Sequence, residues 1–144
     1  MRAWSRRRGN QRGRVSSFDL PRQRLVALRF TGTVDGVPVT KSITEKTLVV
    51  AIKPNCDGCR DFVHSTLEDL ANVNVMVVSE SNDANGEWAN GNQEVLICPE
   101  ILTTLGIRWP PFFVLIDPST SMILTEGVVF GPSQIAREIA PFLI

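Results

Sequence analysis

The sequence has one histidine, three cysteines and no apolar run near the roughly 20 residues that a membrane-spanning helix needs. Each shortage removes a class of function. His64 is the only imidazole and stands beside Val63 on an amphipathic stretch, so a Ser–His or Cys–His hydrolytic triad has no support. An odd cysteine count, with two of the three close together, is not the framework of a disulfide-stapled secreted domain. The amino terminus offers Arg6-Arg7-Arg8, but Gly9 to Ser17 is polar and basic, and no apolar segment of an export signal follows. As it stands the chain is expected in the cytoplasm. A truncated amino terminus would instead fit an extracytoplasmic, membrane-anchored protein.

The formal net charge of zero is an uneven balance. Residues 1–24 carry eight Arg and one acid, whereas residues 25–144 carry seven Lys or Arg and 14 acids. The folded part is therefore acidic and gives no reason to expect a nucleic-acid partner. Residues 1–17 are Arg-, Gly- and Ser-rich and read as a disordered basic arm. A solvated tail is the first reading of that arm, and attraction to anionic lipid or RNA the second. Residues 18–144 read as one domain opened by Phe18-Asp19-Leu20-Pro21. An apolar share of 43% and a charged share of 21% suit an ordinary globular core.

The stretch around which the chain is organised is Leu48-Val49-Val50-Ala51-Ile52, followed by Lys53-Pro54-Asn55 and then Cys56-Asp57-Gly58-Cys59. Five apolar residues without alternation predict a strand covered on both faces, as in a parallel sheet. Phe62, Val63, Leu67 and Leu70 recur at helical spacing, with Arg60, Asp61, Glu68 and Asp69 opposite, which predicts a helix running to Leu70. A sulfur at that helix start meets unpaired backbone N–H groups and the positive end of the dipole. Both favour the thiolate, which is the nucleophile.

Before this unit, Leu25 to Phe30 reads as a strand, Thr31-Gly32-Thr33 and Asp35-Gly36 as turns, and Val37 to Ile43 as an edge strand that tolerates Pro38. After it, Asn74 to Ser79 is a second buried strand, and the helix between makes a right-handed crossover. Residues 81–92 hold four Asn and two Gly and read as an irregular insertion, in which Trp88 anchors the loop rather than a ligand. A short strand is predicted at Glu94–Ile97 and a helix over Pro99–Leu105, stopped by Gly106. Phe112–Asp117 is a third buried strand, Pro118–Ser121 a turn, and Met122–Phe130 a strand returning antiparallel. The last helix starts at Gly131-Pro132-Ser133 and buries Ile135, Ile139, Phe142 and Leu143.

This order resembles the thioredoxin superfamily, and within it the TlpA and peroxiredoxin-type branch with its added N-terminal hairpin and middle insertion. The resemblance runs from about Phe18 to the C-terminus. It is carried by Cys56-Asp57-Gly58-Cys59 and by Gly106-Ile107-Arg108-Trp109-Pro110-Pro111 ahead of a buried strand. It implies an α/β fold: a three-layer α/β/α sandwich around a mixed β-sheet, extended by an N-terminal β-hairpin. It also implies a cis-proline at Pro111 facing the cysteines, Cys56 as attacking thiolate and Cys59 as resolving thiol. No bound cofactor is needed. The partners it implies are a protein or small-molecule thiol or disulfide substrate, and a dithiol electron donor.

Four departures from the family pattern bear on function. Asn55 stands where an aromatic often precedes the first cysteine. The dipeptide is Asp57-Gly58, and the Asp57 charge opposes ionisation of the neighbouring thiol, tilting the couple toward a reductant. Val50 takes the place of the buried aspartate under the second cysteine. Pro110, before the cis-proline, has no N–H to offer an extended substrate. Trp109 supplies apolar area to a substrate or belongs to the core.

Among the remaining candidates, Cys98 reads as a buried small hydrophobe, with a regulatory disulfide as the alternative. A zinc site of Cys56, Cys59, His64 and Cys98 has suitable ligand types but no closed spacing. A peroxidase reading fails because Lys53 stands where its threonine would be. The function expected is a protein thiol–disulfide oxidoreductase working in the reducing direction. The alternative is a non-enzymatic thioredoxin-like binding module with a vestigial or structural CxxC.

Overall fold

The structure is a computed structural model and describes residues 28–144. The basic arm, the opening Phe18–Pro21 and the first residues of the predicted Leu25–Phe30 strand lie outside the described residues. The elements run β1 (Arg29–Val34), β2 (Val37–Ser42), β3 (Thr47–Ile52), α1 (Asp57–His64), β4 (Asn74–Ser79), β5 (Val95–Ile97), α2 (Pro99–Leu105), β6 (Phe112–Asp117), β7 (Met122–Val128) and α3 (Pro132–Ile139). One-turn 3₁₀ segments at Glu68–Leu70 and Ala140–Phe142 complete the order.

A single mixed sheet carries the strands in the order β2-β1-β5-β4-β3-β6-β7. β3 runs parallel to β4 and antiparallel to β6, and all six of its residues are buried. Its side chains alternate between two cores. Leu48, Val50 and Ile52 pack with Phe62 and Val63 of α1 and with Ile135 and Ile139 of α3. Val49 and Ala51 pack with Ile101, Leu102 and Leu105 of α2. The result is the expected sandwich, with α1 and α3 on one face and α2 on the other. Fully burying a Val, Leu or Ile side chain contributes roughly 1.5–3 kcal/mol, so β3 anchors both layers.

The buried polar groups are satisfied locally. The Thr47 hydroxyl donates to the Glu45 carbonyl at 2.8 Å and accepts from the Asn74 side-chain amide at 3.0 Å. Ser79 donates to the Ser81 carbonyl at 2.8 Å. At the edge, β1 and β2 form a hairpin turned at Asp35-Gly36, both with positive φ (51° and 79°), and Pro38 lies on the outermost strand.

The turn predicted at Thr31-Gly32-Thr33 is instead the middle of β1. Gly32 is there because β1 crosses closely over β5: a Cβ at this position would collide with the Ile97 carbonyl and the Cys98 side chain. The helix predicted to reach Leu70 stops at His64. Ser65 is extended (ψ 148°) and Leu67 left-handed (φ 56°). The insertion supplies the stop. The backbone N–H groups of Asn92 and Gln93 donate to the Val63 carbonyl at 2.9 and 3.0 Å, and their side-chain amides to the His64 and Ser65 carbonyls at 2.6 and 2.9 Å. β7 ends at Val128, two residues short of Phe130. Phe142, expected on the buried face of the last helix, is 37% exposed, because Pro141 lacks the N–H that would continue α3 and the chain tightens into a 3₁₀ turn. α2 matches its prediction, with Gly106 left-handed (φ 69°) after it.

The crossing at Gly32 makes a stability test. Gly32→Ala forces backbone against backbone and is expected to cost about 1–3 kcal/mol in urea unfolding, as overpacking does. Gly36→Ala has open space but a left-handed φ, and should cost less, about 1 kcal/mol. A Gly32→Ala protein as stable as the parent would contradict the close crossing.

Candidate functional site

β3 runs out at Ile52, and Lys53, Pro54 and Asn55 carry the chain off the sheet edge into α1. Asn55 is left-handed (φ 58°), one of the few residue types that accepts this without glycine. Cys56 is then the N-cap of α1, with extended backbone (φ −137°, ψ 113°), and its Sγ accepts the Cys59 backbone N–H at 3.3 Å. A thiolate there is stabilised by that donor and by the positive end of the helix. The Cys56 carbonyl accepts the Arg60 N–H at 3.0 Å, which opens the helical ladder.

The two thiols differ in access. Cys56 is half-buried, while Cys59 is 1% exposed on the inner face of α1, in the same core as Val50 and Ile52. Burial pushes the Cys59 thiol up to about 12, with its hydrogen bond to Cys56 and the Cys56 charge adding to the rise; the Lys53 backbone and the Lys53 charge oppose it. Val50 is fully buried on this face, so the strand offers no carboxylate beneath Cys59. Both cysteines are free thiols in this structure. Cys98, also free and buried, packs in the core on the opposite face of the sheet, with its Sγ 3.6 Å from the Thr31 carbonyl. The sheet therefore separates it from the pair.

Asp57 begins α1 with its side chain 90% exposed and its carboxylate 3.6 Å from the Arg60 guanidinium. Its charge thus faces water and a cationic partner. Gly58 follows with open space where a Cβ would be. His64 is at the far end of the helix, where Nε2 donates to the Glu87 carbonyl at 2.8 Å. Among the described residues no group of three or more His, Cys, Asp or Glu could hold a metal ion.

Pro111 is brought to the same end of the sheet. Phe112 pairs with Ala51, so the residue before it falls level with Ile52, where the cysteine loop leaves. The Pro110–Pro111 peptide bond is cis, and the Pro111 carbonyl accepts the Val129 N–H at 3.2 Å. Trp109 is 81% exposed, which excludes the core role left open for it.

Phe130 is the residue that the sequence reading missed. It lies just past Val129, so it flanks the proline loop, and it is 84% exposed. Gln134 fixes its backbone: Oε1 accepts the Phe130 and Gly131 N–H groups at 2.8 and 3.3 Å, and Nε2 donates to the Val128 carbonyl at 2.9 Å. The available signal was a bulky aromatic directly before Gly131-Pro132, where a strand has to end.

The fold has counterparts among solved structures. The thioredoxin domain of a thiol-disulfide oxidoreductase from Bacteroides vulgatus superposes with a TM-score of 0.60 at 15% identity, covering 85% of this chain and 99% of that one. The fold is thioredoxin-like. A secreted Mycobacterium tuberculosis disulfide oxidoreductase homologous to E. coli DsbE gives 0.58 at 17% identity, covering 79% and 96%. StoA from Bacillus subtilis gives 0.55 at 13%, covering 78% and 97%. No protein-family model and no curated protein matches the sequence.

The buried thiol ties stability to pH. An unfolded chain lets Cys59 ionise at ~8.5, whereas the folded chain holds its proton up to about 12. Between these values the unfolded state binds fewer protons, so stability falls as pH rises. The contribution is complete below the lower value and gone above the upper one. The reduced protein should therefore melt at steadily lower temperature as pH climbs through this window. Cys59→Ala should flatten that slope in circular-dichroism melts under reductant; an unchanged slope would assign it to other groups.

Proposed function

We propose that the chain is a thiol–disulfide oxidoreductase acting on protein disulfides, with Cys56 as nucleophile and Cys59 as resolving thiol. The observation that carries this reading is the Cys56 sulfur at the start of α1, half-open to solvent and 3.3 Å from the Cys59 N–H. The electrons balance without a cofactor. The Cys56 thiolate attacks one sulfur of a substrate disulfide, and the other leaves as a thiolate that takes a proton. Cys59, deprotonated, then attacks the Cys56 sulfur of the mixed disulfide. The second substrate thiol is released, and the protein holds a Cys56–Cys59 disulfide. The substrate has gained two electrons, which a dithiol donor must return to the protein.

Asp57 favours the disulfide form and hence the reducing direction, by a margin that Arg60 diminishes. The placement of Cys98 across the sheet supports a two-cysteine cycle without it. Two exposed aromatics support protein substrates, against one feature that weakens strand-like docking. Pro110 withholds one backbone donor from an incoming strand. Trp109 and Phe130 offer side-chain contact in its place, at the end of the sheet where Cys56 lies. The non-enzymatic module is the outcome to be excluded.

Mass mapping after oxidation and alkylation should find Cys56 bonded to Cys59 and Cys98 alkylated. A midpoint potential against glutathione buffers gives the direction. Cys56→Ser should abolish dithiothreitol-driven insulin reduction, and Cys59→Ser should accumulate mixed disulfides. A dominant bridge to Cys98, or no defined potential, would sink the enzyme reading in favour of the module.

The aromatic pair has its own test. Trp109→Ala and Phe130→Ala should each raise KM for insulin about fivefold or more, the scale of ~1 kcal/mol for a truncated aromatic anchor. Turnover of a small disulfide such as hydroxyethyl disulfide should stay unchanged. Equal losses on both substrates would mean that the aromatics serve the fold rather than docking.

A further inference from the structure

The insertion between β4 and β5 holds α1 at both ends. At the rear, Asn92 and Gln93 cap its last carbonyls, and the Glu87 carbonyl accepts from His64 at 2.8 Å. At the front, the Asn85 side-chain amide donates to Asn55 Oδ1 at 2.8 Å. Asn85 is itself tied to the body of the protein. Its backbone N–H donates to Asp83 Oδ1 at 3.2 Å, and the other Asp83 oxygen accepts the Trp88 N–H at 2.7 Å. Trp88 packs against the core that holds Cys59. Gly91 lets the insertion lie against the helix, since a Cβ there would collide with Val63.

We propose that Asn85 is a positioning residue for Cys56. Pro54 fixes its own φ, which leaves its ψ and the backbone torsions of Asn55 to set where Cys56 starts. Asn55 sits in the left-handed region at φ 58°, and the amide bridge from Asn85 holds its side chain there. Releasing the bridge frees the turn to relax and carries the Cys56 sulfur away from the Cys59 N–H. A thiolate that loses this donor is less stabilised and held less firmly in place. The functional meaning of this inference rests on the redox reading, but the bridge itself does not.

The experiment is alkylation of the reduced, full-length chain by iodoacetamide, with the Cys56 rate constant followed by mass spectrometry over a neutral-to-alkaline pH series. Cys59 and Cys98 are buried and react more slowly. Asn85→Ala should lower the neutral-pH rate constant by about 2- to 5-fold, the scale of one exposed side-chain hydrogen bond. Asn55→Gly keeps the left-handed backbone without the side chain. In that background Asn85→Ala should have no further effect, because the two residues act through one contact. An unchanged rate profile in Asn85→Ala, or equal effects in the two backgrounds, overturns the proposal. A parent protein that forms no Cys56–Cys59 disulfide, while this cycle remains non-additive, removes the redox reading and leaves the positioning role standing.

Discussion

Burial of β3 on both faces is the constraint from which the rest of the molecule follows. A strand whose six residues are all shielded cannot be served by one layer of helices. α1 and α3 must cover Leu48, Val50 and Ile52, and α2 must cover Val49 and Ala51. The chain can leave such a strand only at its end, and the residues that follow are the first with access to solvent. That is where Cys56 stands. The same requirement puts Cys98, at the head of α2, on the far side of the sheet. The separation of the Cys56–Cys59 pair from the third thiol is thus a consequence of the layer order.

How far the sequence disclosed this depended on whether the deciding interaction was local. The β3 run, the α2 helix between Pro99 and Gly106, and the Phe112–Asp117 strand were legible because apolar continuity, proline and glycine act on their own neighbours. The end of α1 was not. Leu67 and Leu70 keep a helical spacing, but the carbonyls at the end of the helix are claimed by Asn92 and Gln93, nearly thirty residues away. Gly32 reads as a turn residue in isolation, and its reason, the crossing over Ile97, exists only in three dimensions. The exposure of Trp109 and Phe130 ran against composition, since large aromatics are usually core.

The candidate site was legible as a list and illegible as a mechanism. Cys56, Cys59 and Pro111 were named from motif order, and β6 brings Pro111 to the end of β3 that launches the cysteine loop. From the sequence, the Asp57 charge opposes ionisation of the neighbouring thiol through partly desolvated space. The structure instead gives it water and Arg60, and exposed charges interact weakly across a high dielectric. Asn55 looked like a polar substitute for a rim aromatic. Its left-handed backbone and its link to Asn85 show a conformational task as well.

In the proposed cycle Cys59 must lose its proton with no carboxylate beneath it, since Val50 stands there. The causes of its rise answer in part. Burial is the largest, but the next raising causes, the hydrogen bond to Cys56 and the Cys56 charge, both belong to the free first cysteine. When Cys56 enters a mixed disulfide its negative charge is gone, and its sulfur becomes a weaker partner. The opposing pull of the Lys53 backbone and ammonium is untouched. The balance on Cys59 therefore shifts toward the thiolate at the step where a thiolate is needed. In the free dithiol the same interactions hold Cys59 protonated. In the proposed cycle the order of the two thiols follows from the burial of Cys59 and from what Cys56 does to it, with the Lys53 backbone and charge, rather than a buried acid, pulling the other way.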